Sequence, residues 1–357
     1  MLTPRENLIS LLRRQGYEHV PCDFNLCPSL WEQYTRNENT NDPYAEYFNF
    51  GWRSMPGVTP TDADLMRFHK YHTSLDDNVY IDIWGVGHRK TPTSMHMTQM
   101  LYPLASAETT DDLLAYPLPV FTEEVNGRIA DAVAETHARG FAAVGNMHCT
   151  IWETSWYMRG MENLMSDMLT DEEMAECLFN LVEARAHQVA EIYTRAGVDI
   201  LYMGDDIGMQ HTIMMSEELY CKWIKPRFAR VIAAARAINP DIIMMYHSCG
   251  FVEPFIDHLI EVGVNVLNPV QPECMDFAEI HAKYGDKLSF YGTIGTQTTM
   301  PFGTPEEVTS AVRRNLDIAG AKGGLLPAPT HLLEPEVPWE NVLAYVNACK
   351  NYKPKKA

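Results

Sequence analysis

The sequence predicts a (β/α)8 TIM barrel spanning residues 1–357 as a single domain, with an irregular loop and helix region (28–77) covering the mouth. Three observations carry this. From residue 124 onward, short strand-like runs alternate with helical patterns, which implies parallel βαβ units. Eight strand candidates fit a length typical of one closed barrel. Polar and metal-capable residues also recur directly after the strand candidates. A doubly wound open sheet is the competing arrangement, but no glycine-rich phosphate loop follows the first strand.

The elements follow in order. Thr3 can cap the first helix, Pro4 suits its first position, Glu6 completes a capping box and Gly16 can end it. Residues 19–24 read as the first strand and 79–84 as the second. A helix over 124–139 ends at Gly140, before a strand over 141–147. Thr170 and Glu173 open a helix over 170–196. Strands are expected at 198–203, 241–246, 264–267, 288–291 and 324–327, with helices at 217–237, 253–262, 276–284 and 305–319 between them. A last helix covers 338–350, and the tail from 353 to 357 is expected to fray.

Composition narrows the functional classes. The net charge of −19 repels phosphate backbones, so nucleic acid is excluded as an expected partner. No apolar run reaches the roughly 18 residues of a membrane span, and the amphipathic start MLTPRENLISLLRRQG lacks the features of a secretory signal. A cytoplasmic location with no membrane association is the expectation. The eight cysteines, at 22, 27, 149, 177, 221, 249, 274 and 349, form no CxxC pair and read as free thiols. A metal site therefore has to be assembled from distant segments.

The segment IIMMYHSCG, 242–250, ends a strand-like run with His247 and Cys249. At positions i and i+2 their side chains share a face, and imidazole with thiolate suits zinc. His331, after the last strand candidate, is the expected third ligand, leaving a fourth position open. His148 and Cys149 are a rival pair, but adjacent residues point to opposite faces, which favours packing for at least one. Asp205 and Asp206 are candidates to hold a substrate hydroxyl, move a proton or add a ligand, and one of them fits a helix-capping role equally well. Asp82 is a candidate rim carboxylate. Gln271, Gly292 and Gly295, also after strand candidates, are expected to line the cofactor-binding surface.

The stretches RENLISLLRRQGYEHVPCDF, WYMRGMENLMSDM, GDDIG, YHSCG, YGTIGTQTTMPFGTPEEV and EPEVPWENVLAYV together resemble the uroporphyrinogen decarboxylase superfamily over most of the chain. The resemblance implies a (β/α)8 barrel with its active site at the strand C-termini. True decarboxylases of that superfamily carry an arginine-rich loop after the first strand. Here the loop reads Asn25-Leu26-Cys27-Pro28, so porphyrinogen binding is discounted. The zinc-dependent cobamide methyltransferases carry His-x-Cys and a later cysteine. His247 and Cys249 match the first element, while His331 stands where the later cysteine is expected.

This branch implies Zn²⁺ and a corrinoid (cobalamin) carried by a separate corrinoid protein, since no Asp-x-His-x-x-Gly cobalamin pattern occurs here. A single thiolate ligand leaves the metal more electrophilic, which favours a methyl donor such as a methoxy compound. Methyl transfer from a methyl-corrinoid to a thiol, such as coenzyme M or homocysteine, is the alternative. A metal-free decarboxylase and a non-catalytic binding protein complete the set. A homodimer is compatible with the family, but no interface signal stands out.

Overall fold

The computed structural model describes residues 2–73, 75–90 and 98–353. Residues 354–357 of the tail lie outside that range. Ten strands are described: β1 (Trp52–Ser54), β2 (Val79–Ile81), β3 (Gly87–Lys90), β4 (Thr98–Leu101), β5 (Ala142–His148), β6 (Ile200–Gly204), β7 (Ile243–His247), β8 (Val266–Asn268), β9 (Ser289–Tyr291) and β10 (Leu325–Leu326). Seven of them form one parallel sheet in the order β1-β5-β6-β7-β8-β9-β10. Helices fill the connections, as alternating patterns require.

Where the eighth stave belongs, residues around Asp23 run between the two sheet edges. Asp23 accepts a bond from Trp52 in β1, and Leu26 pairs in parallel with Leu333 beyond β10. The run expected as the first strand, 19–24, thus forms no ladder, and the one bridge falls just beyond it at Leu26. Pro21 has no amide hydrogen, and the Asp23 amide donates to the Tyr345 hydroxyl instead of a neighbouring strand.

The second strand expected at 79–84 is a correction. Its residues belong to a separate antiparallel sheet, β2-β3-β4. The barrel strand is β1, inside the stretch read as irregular, and only three residues long. Its Trp52 and Ser54 line a polar cavity, so the strand never shows the apolar alternation that marks a half-buried one.

The later strands begin one or two residues after their expected starts. The capping boxes at Thr3 and Thr304 are present. The one expected at Thr170 is not: Thr170 ends the preceding helix, and Asp171 caps Glu172–Ala196 through the Met174 amide. The first helix, Pro4–Leu12, stops before Gly16 with Arg13 at its C-cap.

That helix closes the barrel from below. Leu8, Leu11 and Leu12 are buried with Val144, Ile200, Met245 and Val266 in an inner core. Each fully buried leucine contributes about 2 kcal/mol. Arg5 pairs with Asp199, Arg13 donates to the Asp241 carbonyl and Arg14 to that of Lys287, all residues preceding sheet strands. With the N-terminal end plugged, the open end is the one where strands finish. Among the described residues, no helix is long and apolar enough to cross a membrane.

Candidate metal centre and cavity

β7 delivers His247 at its end, and the turn that follows carries Cys249. The two side chains converge, with Cys249 Sγ 3.5 Å from His247 Nε2. Asp206, just beyond β6, comes within 3.6 Å of the same nitrogen, and its carboxylate accepts the Cys249 amide at 2.7 Å. Among the described residues, Asp206, His247 and Cys249 are the group of possible metal ligands, with donor atoms all within 4.8 Å of one another. His331, expected as the third ligand, is outside this group. It lines the same cavity as His247 and a neighbouring one with Cys249. Asp206 takes the nearer position because β6 and β7 are adjacent and in register at Gly204 and His247.

That register depends on Gly204. A Cβ there would lie 2.2 Å from the His247 carbonyl oxygen and 2.6 Å from its nitrogen, and φ is +151°.

The imidazole is oriented from behind. Asn268, at the end of β8, is buried, and its Oδ1 lies 2.6 Å from His247 Nδ1. Its Nδ2 donates to the Tyr291 carbonyl at 2.8 Å, which fixes the amide so that oxygen faces the imidazole. The Tyr202 hydroxyl donates to the same oxygen. An oxygen acceptor requires Nδ1 to carry the hydrogen, leaving the Nε2 lone pair directed at Asp206 and Cys249.

The donor set fits zinc. Bonds of about 2.0–2.3 Å in a tetrahedron separate ligand atoms by about 3.3–3.8 Å. The two separations from Nε2 are 3.5 and 3.6 Å. The electrostatics agree: burial, then Asp206 and Glu153, push the Cys249 thiol up. A dication is the partner that such a set of acids and a thiol calls for. Nitrogen, sulfur and oxygen donors from three residues leave a fourth position open.

The adjacent aspartates separate cleanly. Asp205 is fully buried and accepts the amides of Ile151 and Glu153, capping the helix Trp152–Arg159. Burial raises its pKa against those amides. Asp205 is thus engaged by the fold, while Asp206 meets His247 and the Cys249 amide.

Asp82 is a correction. Its carboxylate accepts the Trp84 and Val86 amides and pairs with His88 in the antiparallel sheet, away from the residues lining the cavity. Gln271 accepts the Gly250 amide at 2.5 Å and steadies the turn carrying Cys249. Gly292 lies against Asn268 Nδ2, where an added Cβ would be 3.0 Å away, and Gly295 against Glu273. These glycines set close packing around the site. His148 stacks on His247 at 5.3 Å, and burial first, then His247 and His331, lower its pKa to about 3. Cys149 contacts the Tyr157 hydroxyl at 3.7 Å, which matches the packing reading.

Four residues escaped the sequence reading: Asp23, Tyr202, Asn268 and Glu153. Asp23 leaves a trace as an acid in the apolar run VPCDF. Glu153 leaves none. Its carboxylate accepts Tyr157 Oη at 2.7 Å and the Asp206 amide at 3.0 Å, and burial raises its pKa.

Behind His247 lies a cavity of about 310 Å³, lined by residues from all around the barrel. Outward, Cys249, Gln271 and Met209 line a second space of about 330 Å³, which shares His331 and Leu332 with the first. The donor triad stands at the boundary between them.

A parallel barrel-like sheet with a cluster of possible metal ligands at its strand ends defines an α/β protein with a candidate metal centre. The chain belongs to the uroporphyrinogen decarboxylase (URO-D) family, whose profile matches residues 106–352. It is 26% identical over 204 residues to a methylated-thiol–coenzyme M methyltransferase of Methanosarcina mazei, covering 54% of this chain. The chain spans about half the length of that relative, 49%. In fold it resembles a solved methyltransferase from Methanosarcina mazei, with a TM-score of 0.67, 16% identity and 98% coverage of both chains.

Proposed function

We propose that this protein, acting as one unit over residues 1–357, is a zinc-dependent methyltransferase that moves a methyl group between a small substrate and a corrinoid on a separate partner protein. The observation that carries the reading is the Asp206, His247, Cys249 triad, at the boundary between an inner cavity and the open barrel mouth. The methyltransferase relatives support the reaction class. Zn²⁺ bound by these three residues would supply Lewis-acid chemistry at the leaving or attacking heteroatom.

The protein's own groups do the rest. Asn268 and Tyr202 hold the His247 ring so that Nε2 faces the site. Gln271 and Asp206 grip the backbone on either side of Cys249 Sγ. The inner cavity holds the substrate away from bulk water, and the outer one leaves room for the partner's cofactor. His331, lining both spaces, is placed to contact either reactant.

The test is elemental analysis of the purified protein beside Asp206→Ala, His247→Ala and Cys249→Ala. About one zinc per chain, lost in each variant, is the expected result. Zinc retained in all three would sink the assignment. Methylation of reduced cobalamin by candidate donors, followed by absorbance, then tests the transfer.

A further inference from the structure

The inner cavity carries information about its occupant that the donor triad does not. Its lining includes one carboxylate, Asp23, and no lysine or arginine. Asp23 is fully enclosed, and its oxygens accept the Trp52 indole and Tyr291 hydroxyl hydrogens. No cationic side chain pairs with it among the described residues. The nearest influence is Arg53, whose guanidinium is engaged by Glu46 at 2.8 Å and by the Phe50 and Trp52 carbonyls. A buried carboxylate without a counter-charge is costly, and a cation entering the cavity relieves that cost.

The remaining walls suit the same guest. Trp52, Tyr202, Tyr291 and His148 line this one cavity. Neighbouring rings meet edge to face, at 89° for Trp52 with Tyr291, 84° for His148 with Tyr202 and 63° for Tyr202 with Tyr291. Aromatic faces attract organic cations, and these rings line the cavity beside Asp23. The net charge of −19 draws cations toward the protein. An anion would meet Asp23 with no lysine or arginine in the lining, whose basic groups are the imidazoles of His148, His247 and His331.

We infer that the substrate held in this cavity is a small organic cation with an ammonium or sulfonium head, recognised by Asp23 and the aromatic walls. The inference rests on the cavity being the substrate site of the proposed methyl transfer. It points away from acidic methoxy compounds and from sulfonate-bearing thiols as occupants of the inner space.

The test is calorimetric titration of the full chain with choline, with its uncharged isostere 3,3-dimethylbutan-1-ol, and with ethanesulfonate. Choline is expected to bind on the order of 10- to 100-fold more tightly than the isostere, and ethanesulfonate not at all. Asp23→Asn, with its fold checked by circular dichroism, is expected to cut the preference at least several-fold, leaving the smaller share of the aromatic walls. Equal binding of choline and isostere, tighter binding of ethanesulfonate, or an undiminished preference in Asp23→Asn would each overturn the inference. The wild-type comparison decides the matter even if the variant does not fold. Because the readout is binding heat, its failure is distinct from failure of the zinc test above.

Discussion

Asn268→Ala is the substitution that most directly probes the orientation argument. Asn268 Oδ1 lies 2.6 Å from His247 Nδ1, and Nδ2 holds the Tyr291 carbonyl at 2.8 Å. Removing the amide leaves the imidazole free to choose either tautomer and to rotate. Outer-shell partners of this type are worth about 10- to 100-fold in metal affinity, or about 1.4 to 2.8 kcal/mol. A separate cost falls on the fold. The Tyr291 carbonyl and Tyr202 hydroxyl lose a buried partner, at about 1–3 kcal/mol each. The two effects are measured apart: zinc affinity by competition with a chromophoric chelator, stability by chemical denaturation. Tyr202→Phe keeps the bond between Asn268 and His247, so it is expected to change zinc affinity less than about threefold, well short of the outer-shell range. A folded Asn268→Ala protein that binds zinc within twofold of wild type would refute the claim that Asn268 presents Nε2 to the site.

The other predictions separate structural from site residues. Asp205→Ala removes the acceptor for the Ile151 and Glu153 amides and should cost about 1–3 kcal/mol of stability while zinc content is retained. Asp206→Ala should show the opposite pattern. Asp82→Ala should leave both zinc content and ligand binding unchanged, since its contacts are confined to the antiparallel sheet. Gly204→Ala should abolish zinc binding or soluble expression, because its Cβ would strike the His247 backbone.

A pH effect is expected from Asp23, which burial raises to about 6. The fold thus favours the protonated form over the unfolded chain, where the value is about 3.9. Stability from this group is fully present below pH of about 4 and lost as pH rises through 6, a total of about 3 kcal/mol. Denaturation at several pH values should show that slope in the wild type and a flatter one in Asp23→Asn.

Much of the scaffold was legible because local rules govern it. The capping boxes at Thr3 and Thr304, and the strand-to-helix rhythm after residue 141, depend on neighbours in sequence. So does the convergence of His247 and Cys249, two positions apart at a strand end. Where local pattern and tertiary role diverged, the reading slipped. The alternating 79–84 run found its partner in a hairpin, while Trp52–Ser54, too short and polar to stand out, took the barrel position.

The sequence by itself determined the α/β class with parallel strands, and it singled out His247 and Cys249, two of the three possible ligands that converge. Only the tertiary structure decided that Asp206 faces His247 while its neighbour Asp205 turns inward to cap a helix. It alone gathered Asp23, Trp52, Tyr202, Asn268 and Tyr291 around one cavity. The physical reason is that a barrel mouth is assembled from the ends of many strands. Residues 268 positions apart, as Asp23 and Tyr291 are, become hydrogen-bonded neighbours there, and no local period records that meeting.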